Sequence, residues 1–311
     1  MKSLPLLYRQ SVGDGRFYAV LSAAGFSLKA IFVKLGYAAG PVDAVTLLAL
    51  RMGLALPLFL GLIYLSRQDS EAPLDAGGLL KILLLGAVGY YLSSLFDFYG
   101  LEYISAGLER LILFSYPTLV LVIQAVLLRQ WPASRTLQAM GICYLGLGVA
   151  FLHDVGFAGG GDAVLKGAAW VFASAVTYAF YYIGTGALVK RVGSMRLAGL
   201  AGSASAIFVL GHYGLTTGGR NLAGLDGAVW LYAALMALFS TVLPVYWMAL
   251  AIQRMGAAHA ATIGNLGPVL TLFAAWAILG EQVSVYQLGG LALVLFGISR
   301  IKPAAPKATG R

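Results

Sequence analysis

Residues 103–117 read Tyr-Ile-Ser-Ala-Gly-Leu-Glu-Arg-Leu-Ile-Leu-Phe-Ser-Tyr-Pro, and residues 255–268 read Met-Gly-Ala-Ala-His-Ala-Ala-Thr-Ile-Gly-Asn-Leu-Gly-Pro. Both stretches open on small residues, run on as apolar helix and carry a proline inside it. Pro117 and Pro268 are 151 positions apart (268 − 117 = 151), as are Ile112 and Ile263, Leu128 and Leu279, and Gly146 and Gly297. The same offset pairs Val20 with Val171, Ala24 with Ala175 and Leu80 with Leu231. Single identities are cheap in apolar sequence, but one ungapped register over roughly 130 residues is the mark of a duplicated unit.

The duplicated unit is too apolar for water. Of 311 residues 60% are hydrophobic and 11% charged, with a mean hydropathy of +0.84, where soluble domains carry about 25% charged residues. The excess must face lipid. Apolar runs long enough to cross a bilayer, about 20 residues each, are expected at 17–36, 43–65, 79–101, 104–128 and 134–152, and again at 164–187, 196–215, 228–251, 256–279 and 284–301. The expected fold is therefore an all-α membrane protein of ten transmembrane helices. Five spans per unit is an odd number, so the second copy enters the membrane upside down and makes a 5+5 inverted-topology repeat. Two near-equal inverted halves can exchange conformations, which is the geometry of alternating access.

Charge sets the orientation. Fifteen Lys and Arg residues, from Lys2 and Arg9 to Lys307 and Arg311, fall on the side of the two termini, against Lys34, Lys166 and Arg220 on the other. Basic loops stay inside, so both termini are expected in the cytoplasm. The layout is a cytoplasmic N-terminus (1–16), a first five-helix repeat (17–152), a Gly-rich external linker (153–163), a second repeat (164–301) and a disordered cytoplasmic tail (302–311). The first apolar run, from Phe17, has Lys29 in its interior and further spans after it, so it is not a cleavable signal peptide. The net charge of +9 is a topology signal and not a nucleic-acid stripe. One cysteine, Cys143, and three scattered histidines, His153, His212 and His259, build neither a disulfide nor a metal site. No cofactor is expected.

The quoted stretches resemble the EamA domain of the drug/metabolite transporter superfamily, once in each half. Leu279-Gly280-Glu281-Gln282 looks like that family's Gly-Glu link between its last two spans, whereas the first copy departs with Arg129-Gln130. The resemblance spans about residues 17–301. It implies a transporter of the inner membrane, with a central cavity lined by spans 1, 3, 4, 6, 8 and 9 and with spans 5 and 10 outside it. Export is implied by the resemblance alone.

Ionisable groups inside spans are costly and usually functional. Lys29, Arg51, Asp97, Glu109 and Arg110 lie in spans, all in the first half; the aligned positions of the second are Phe180, Gly202, Met248, Ala260 and Ala261. At about 1.5 Å per residue these charges gather between the midplane and the outer surface. Lys29, Glu109 and Arg110 are substrate-binding candidates, Lys29 for an anionic group. Asp97 and Glu109 are the candidates for proton coupling. Structural pairing, Lys29 with Glu109 or Arg51 with Asp97, is the plainer alternative. Tyr91, Tyr178, Tyr182 and Trp247 supply aromatic walls suited to amphipathic solutes, and Asn265 stands three residues before Pro268. Pro117 and Pro268 are expected hinges. Gly141 with Gly148, and Gly290 with Gly297, lie two turns apart and suit close helix packing, within a monomer or across a homodimer.

A cation exporter would want an acid in span 1, where this chain has Lys29. The expected cargo is therefore a small metabolite, an amino acid or related carboxylate, with a drug or sugar conjugate as the alternative within transport. From other classes, a structural or signalling membrane protein lacks an attached sensor domain. A membrane-embedded enzyme could use Gly159-Gly-Gly-Asp162, which matches the Gly-x-Gly-Asp pattern of intramembrane aspartyl proteases, but this motif sits in the Gly-rich link. No catalytic constellation is expected.

Overall fold

A computed structural model describes residues 15–66, 74–129, 134–157, 161–217, 222–255, 260, 263–264 and 266–300. These residues form helices and turns, with no strand among them. We number the main helices in chain order: α1 Gly15–Ala39, α2 Ala44–Leu65, α3 Ala76–Leu101, α4 Ala106–Leu127, α5 Ser134–Phe157, α6 Gly161–Val192, α7 Ser194–Thr217, α8 Gly227–Met255, α9 Leu266–Leu279 and α10 Val285–Arg300. The first eight are long and apolar enough to cross a membrane; α9 and α10 are apolar but shorter. The expected ninth span, 256–279, is described only in part, and the two chain ends lie outside the described residues. The expected linker 153–163 is largely helical, since α5 runs to Phe157 and α6 begins at Gly161.

Local sequence explains the helix ends. Asp43, Asp75, Ser105 and Asp226 accept backbone N–H bonds from Thr46, Gly78, Leu108 and Ala228, filling the orphan donors of α2, α3, α4 and α8. Asp75 and Asp226 differ by 151, as do Arg129 and Gly280, which end α4 and α9 in left-handed conformation with φ of 51° and 67°. Wide π-turns interrupt α3 at Gly86–Leu92 and α8 at Leu238–Val242.

Packing brings helices together in pairs. At the α5–α10 contact the backbones touch: a Cβ on Gly290 would lie 2.5 Å from the Gly146 carbonyl, and one on Gly297 2.5 Å from Cys143 Sγ. Gly141 and Gly148 face open space instead, so the first-half glycine of this contact is Gly146. Helix α2 lies on α7 where Gly199 and Gly202 receive Phe59. Helix α1 crosses α8 through Gly25 and Pro244, with Ser22 Oγ donating to the Pro244 carbonyl at 2.7 Å. Helix α3 meets α6 through Ser93 and Ser174, whose hydroxyl donates to the Ser93 carbonyl at 2.8 Å. Outside, Leu60, Leu127, Leu145, Leu152, Phe273 and Trp276 are exposed, a surface that suits hydrocarbon rather than water.

Candidate functional site

The site begins with a fault in α1. The helix breaks at Leu28, whose N–H reaches the Gly25 carbonyl at 3.2 Å. A break at membrane depth is tolerated only where other groups take the freed carbonyls. Here Arg110 Nη2 donates to the Phe26 carbonyl, and Thr271 Oγ1 of α9 donates to the Ser27 carbonyl at 3.1 Å. Ser27 Oγ itself reaches the carbonyls of Ala23 at 2.6 Å and Gly267 at 3.0 Å. The fault is thus held by α4 and α9 together.

Lys29 follows the break directly. Its Nζ lies 2.8 Å from Asp97 Oδ2 on α3 and 3.8 Å from Glu109 Oε1 on α4. Arg110 Nε is 3.8 Å from Glu109 Oε2. Asp97 and Glu109 are wholly buried, and Lys29 is nearly so. The sequence alternatives of Lys29 with Glu109 and Arg51 with Asp97 resolve differently: Lys29 takes Asp97 first and Glu109 second. Removing four charges from water costs several kcal/mol per ion, which pairing only partly returns. Such a cluster is poor scaffolding, and its presence points to use.

Helix α4 also breaks, at Phe114–Ser115, and Pro117 starts its second segment. A proline there gives up no helix bond, because its missing N–H would have no partner anyway. Pro268 is buried in α9, next to the Gly267 that accepts from Ser27. Tyr116, between the break and the proline, is the ring around which the aromatic group assembles. It packs on Tyr178 and Tyr182 with centroids 5.1 and 4.8 Å away, and its hydroxyl is 3.4 Å from that of Tyr182. Tyr182 points on to Met248 Sδ at 3.8 Å, and Tyr90 donates to Tyr181 at 2.7 Å.

The structure therefore unites Lys29, Asp97, Glu109 and Arg110, and separately Tyr178 and Tyr182 with Tyr116. Sequence reasoning missed Tyr116; its position just before a mid-span proline was the available signal. Tyr91 turns away, its hydroxyl 3.0 Å from His212 Nδ1 and its ring beside Phe208. Trp247 is half-buried on α8, one residue before Met248. Asn265 lies outside the described residues. Asp162 sits exposed in the first turn of α6 while Asp97 is enclosed with Lys29. Among the described residues no cluster of His, Cys, Asp and Glu suits a metal ion.

Two acids tie neighbouring helices at one end of the bundle. Glu281, after α9, accepts from the N–H groups of Ala106 at 2.9 Å and Gly107 at 3.3 Å, so the second half caps α4 of the first. Glu102 accepts from Ala44 N–H at 3.0 Å at the head of α2, and Tyr37 donates to the Phe98 carbonyl at 2.8 Å. Burial, with Asp43 nearby, pushes the Glu102 carboxyl above its ordinary range against the pull of the Ala44 N–H. On the opposite face a space of about 280 Å³ opens beside Ser66, Gly193, Met195 and Gln253.

Comparison with known proteins adds the following. The model of the EamA-like transporter family matches residues 14–152 and again 165–301. The uncharacterized transporter YcbK of Bacillus subtilis (strain 168) is 31% identical over 297 residues, covering 92% of this chain and 91% of that protein. The uncharacterized transporter YyaM of the same organism is 25% identical, covering 88% and 90%. An uncharacterized transporter of Archaeoglobus fulgidus is 25% identical, covering 86% and 91%. A solved crystal structure 17% identical in sequence superposes with a TM-score of 0.66 over 92% of this chain and 95% of that one, a shared fold.

Proposed function

The chain belongs to the EamA-like transporter family, as a multi-pass membrane protein, and we propose that it exports a small solute, an amino acid or related carboxylate, across the inner membrane by alternating access. The observation that carries this reading is the meeting of Lys29, Asp97 and Glu109 within 4 Å at the broken turn of α1. A solute with a carboxylate and an ammonium finds both partners there. Its carboxylate displaces Asp97 from Lys29, and its ammonium takes up the released acid. One buried pair is exchanged for an equivalent one, so the solute enters without leaving a charge uncompensated. Tyr116, Tyr178 and Tyr182 offer an aromatic wall to the rest of the molecule. Asp97 changes partner in this exchange and Glu109 stands beside it, which makes the two acids the groups through which a proton can be exchanged for solute.

Ten spans in two inverted halves, with Pro117 and Pro268 as hinges, supply the motion. What supports this is the 151-residue relation between the helix caps Asp75 and Asp226, between the left-handed ends Arg129 and Gly280, and between Cys143 and Val294, which touch at 3.5 Å. With the basic loops inside, the end tied by Glu102 and Glu281 is external, and the open space beside Gln253 faces the cytoplasm.

The test is uptake into proteoliposomes from a panel of labelled amino acids and organic acids. Saturable uptake of at least one member is expected. If no member moves while cations or sugar conjugates do, the substrate class is wrong.

A further inference from the structure

Arg51 stands in the middle of α2 and belongs to no ion pair of 4.0 Å or less among the described residues. It is 4% exposed. Its Nε donates to Thr241 Oγ1 at 2.8 Å and its Nη2 to Ser94 Oγ at 3.3 Å, while its plane lies 5.3 Å over the Phe98 ring. Nη1 is buried with no hydrogen-bond partner. Ser94 and Phe98 bracket Asp97 on α3, so Arg51 reaches the same turn as the charged cluster. Asp97, the acid nearest to hand, is committed to Lys29 at 2.8 Å.

Among the described residues the buried Arg51 and Arg110 balance Asp97 and Glu109, and the part-buried Lys29, its side chain 13% exposed, brings the cluster to three positive charges against two, an excess of one. An excess charge in a membrane interior needs a counter-ion. Two neutral hydroxyls hold the guanidinium in a fixed plane and leave Nη1 to donate to one further acceptor, for which a carboxylate oxygen makes the strongest bond.

We propose that Arg51 is a second anion-binding group of the central site, taking a carboxylate of the solute on the free nitrogen, and that the cargo is an organic acid of net charge −1. This rests on the transport reading above and narrows its substrate class. Nη1 is enclosed in this conformation, so the carboxylate reaches it as Ser94 or Thr241 moves off the guanidinium. Thr241 lies in the π-turn of α8 and bonds the Met236 carbonyl at 2.8 Å, so Arg51 is tied to the irregular turn of that helix. An inorganic chloride would offer the same single negative charge, and the experiment separates the two.

The experiment is thermal unfolding of the full-length protein in detergent, titrated with aspartate, glutamate, alanine or leucine in chloride-free buffer, and with chloride alone. Aspartate or glutamate should raise the midpoint at concentrations about tenfold below those at which alanine or leucine act. Arg51→Gln should erase that preference while keeping the response to neutral amino acids. Arg51→Lys should keep part of it, and Thr241→Val, which removes a hydroxyl but no charge, should keep most. Equal preference for acidic and neutral amino acids in the wild type overturns the proposal and leaves amino-acid transport standing. Stabilisation by chloride and by no acid also overturns it, assigning the site to the ion. Equal loss in Arg51→Gln and Thr241→Val makes Arg51 a tie between helices only. Silence towards all the amino acids, together with no uptake from the panel, overturns the amino-acid reading on which this proposal rests.

Discussion

The two halves of this protein share a skeleton and differ in chemistry. The charges enclosed within spans among the described residues sit in the first half, at Lys29, Arg51, Asp97, Glu109 and Arg110, where the second has Phe180, Gly202, Met248, Ala260 and Ala261. Yet the neutral half is not idle. Thr271 and Gly267 hold the broken turn beside Lys29, Thr241 holds Arg51, and Glu281 caps the helix that carries Glu109. The first copy carries the charges, and the second supplies groups that position them. The bonds from Thr271 and Thr241 and to Gly267 cross from one half to the other, so on the proposed reading motion between halves acts on the charged site.

Changes at matched positions should therefore differ most where charge is concerned. Lys29→Ala strands the buried Asp97 carboxylate, leaves Glu109 with Arg110 alone, and should cost about 3–5 kcal/mol of stability. Phe180→Ala, at the aligned and exposed position, should stay within about 0.5 kcal/mol. Denaturant titration in micelles reads both, and equal losses would erase the contrast. Next comes support from the neutral half. Thr271→Val leaves the Ser27 carbonyl without its donor and should cost about 1–3 kcal/mol, whereas Thr271→Ser should restore most of it. Glu281→Gln can still accept from Ala106 but loses its charge at the head of α4, a loss of about 0.3–1 kcal/mol, read as a small drop in melting temperature.

The smallest effect concerns Glu102. Its carboxyl is pushed above the ordinary range in the folded protein, so its contribution is fully present below about pH 4.3, the unperturbed value. That contribution is lost as pH rises through the raised value. The melting temperature of the wild type should fall over that window relative to Glu102→Gln; parallel curves would show that Glu102 takes no part.

Much of this was readable from the sequence. Span limits follow from apolar run length, and the observed helices other than α9 fall within about five residues of them, from α1 at Gly15–Ala39 against 17–36 to α10 at Val285–Arg300 against 284–301, whereas the expected 256–279 is described as a continuous helix only from Leu266. The charged residues were also legible, because a charge inside a span is conspicuous. Their partners were not. Pairing depends on which way each helix face turns, and α1, α3 and α4 each depart from the regular period, at Leu28, at Gly86–Leu92 and at Phe114–Ser115. Tyr91 shows the cost. It lies inside the π-turn of α3, where the wider winding rotates the face, so Tyr90 and not Tyr91 reaches the tyrosines of α6. Glu281 carried a visible motif, but its bond to Ala106 is 175 residues away in sequence, and no local pattern announces such a contact.

The most direct test of the charged cluster as the solute site is counterflow in proteoliposomes loaded with the solute that the panel identifies. It compares the wild type with the double variant Lys29→Met, Asp97→Asn. Removing both partners of a buried pair together leaves no stranded charge and spares the fold, which the melting temperature can verify. The expected result is a transient accumulation of labelled solute in the wild type and none in the folded double variant. Undiminished counterflow in the double variant would contradict the account and move the solute site elsewhere in the bundle.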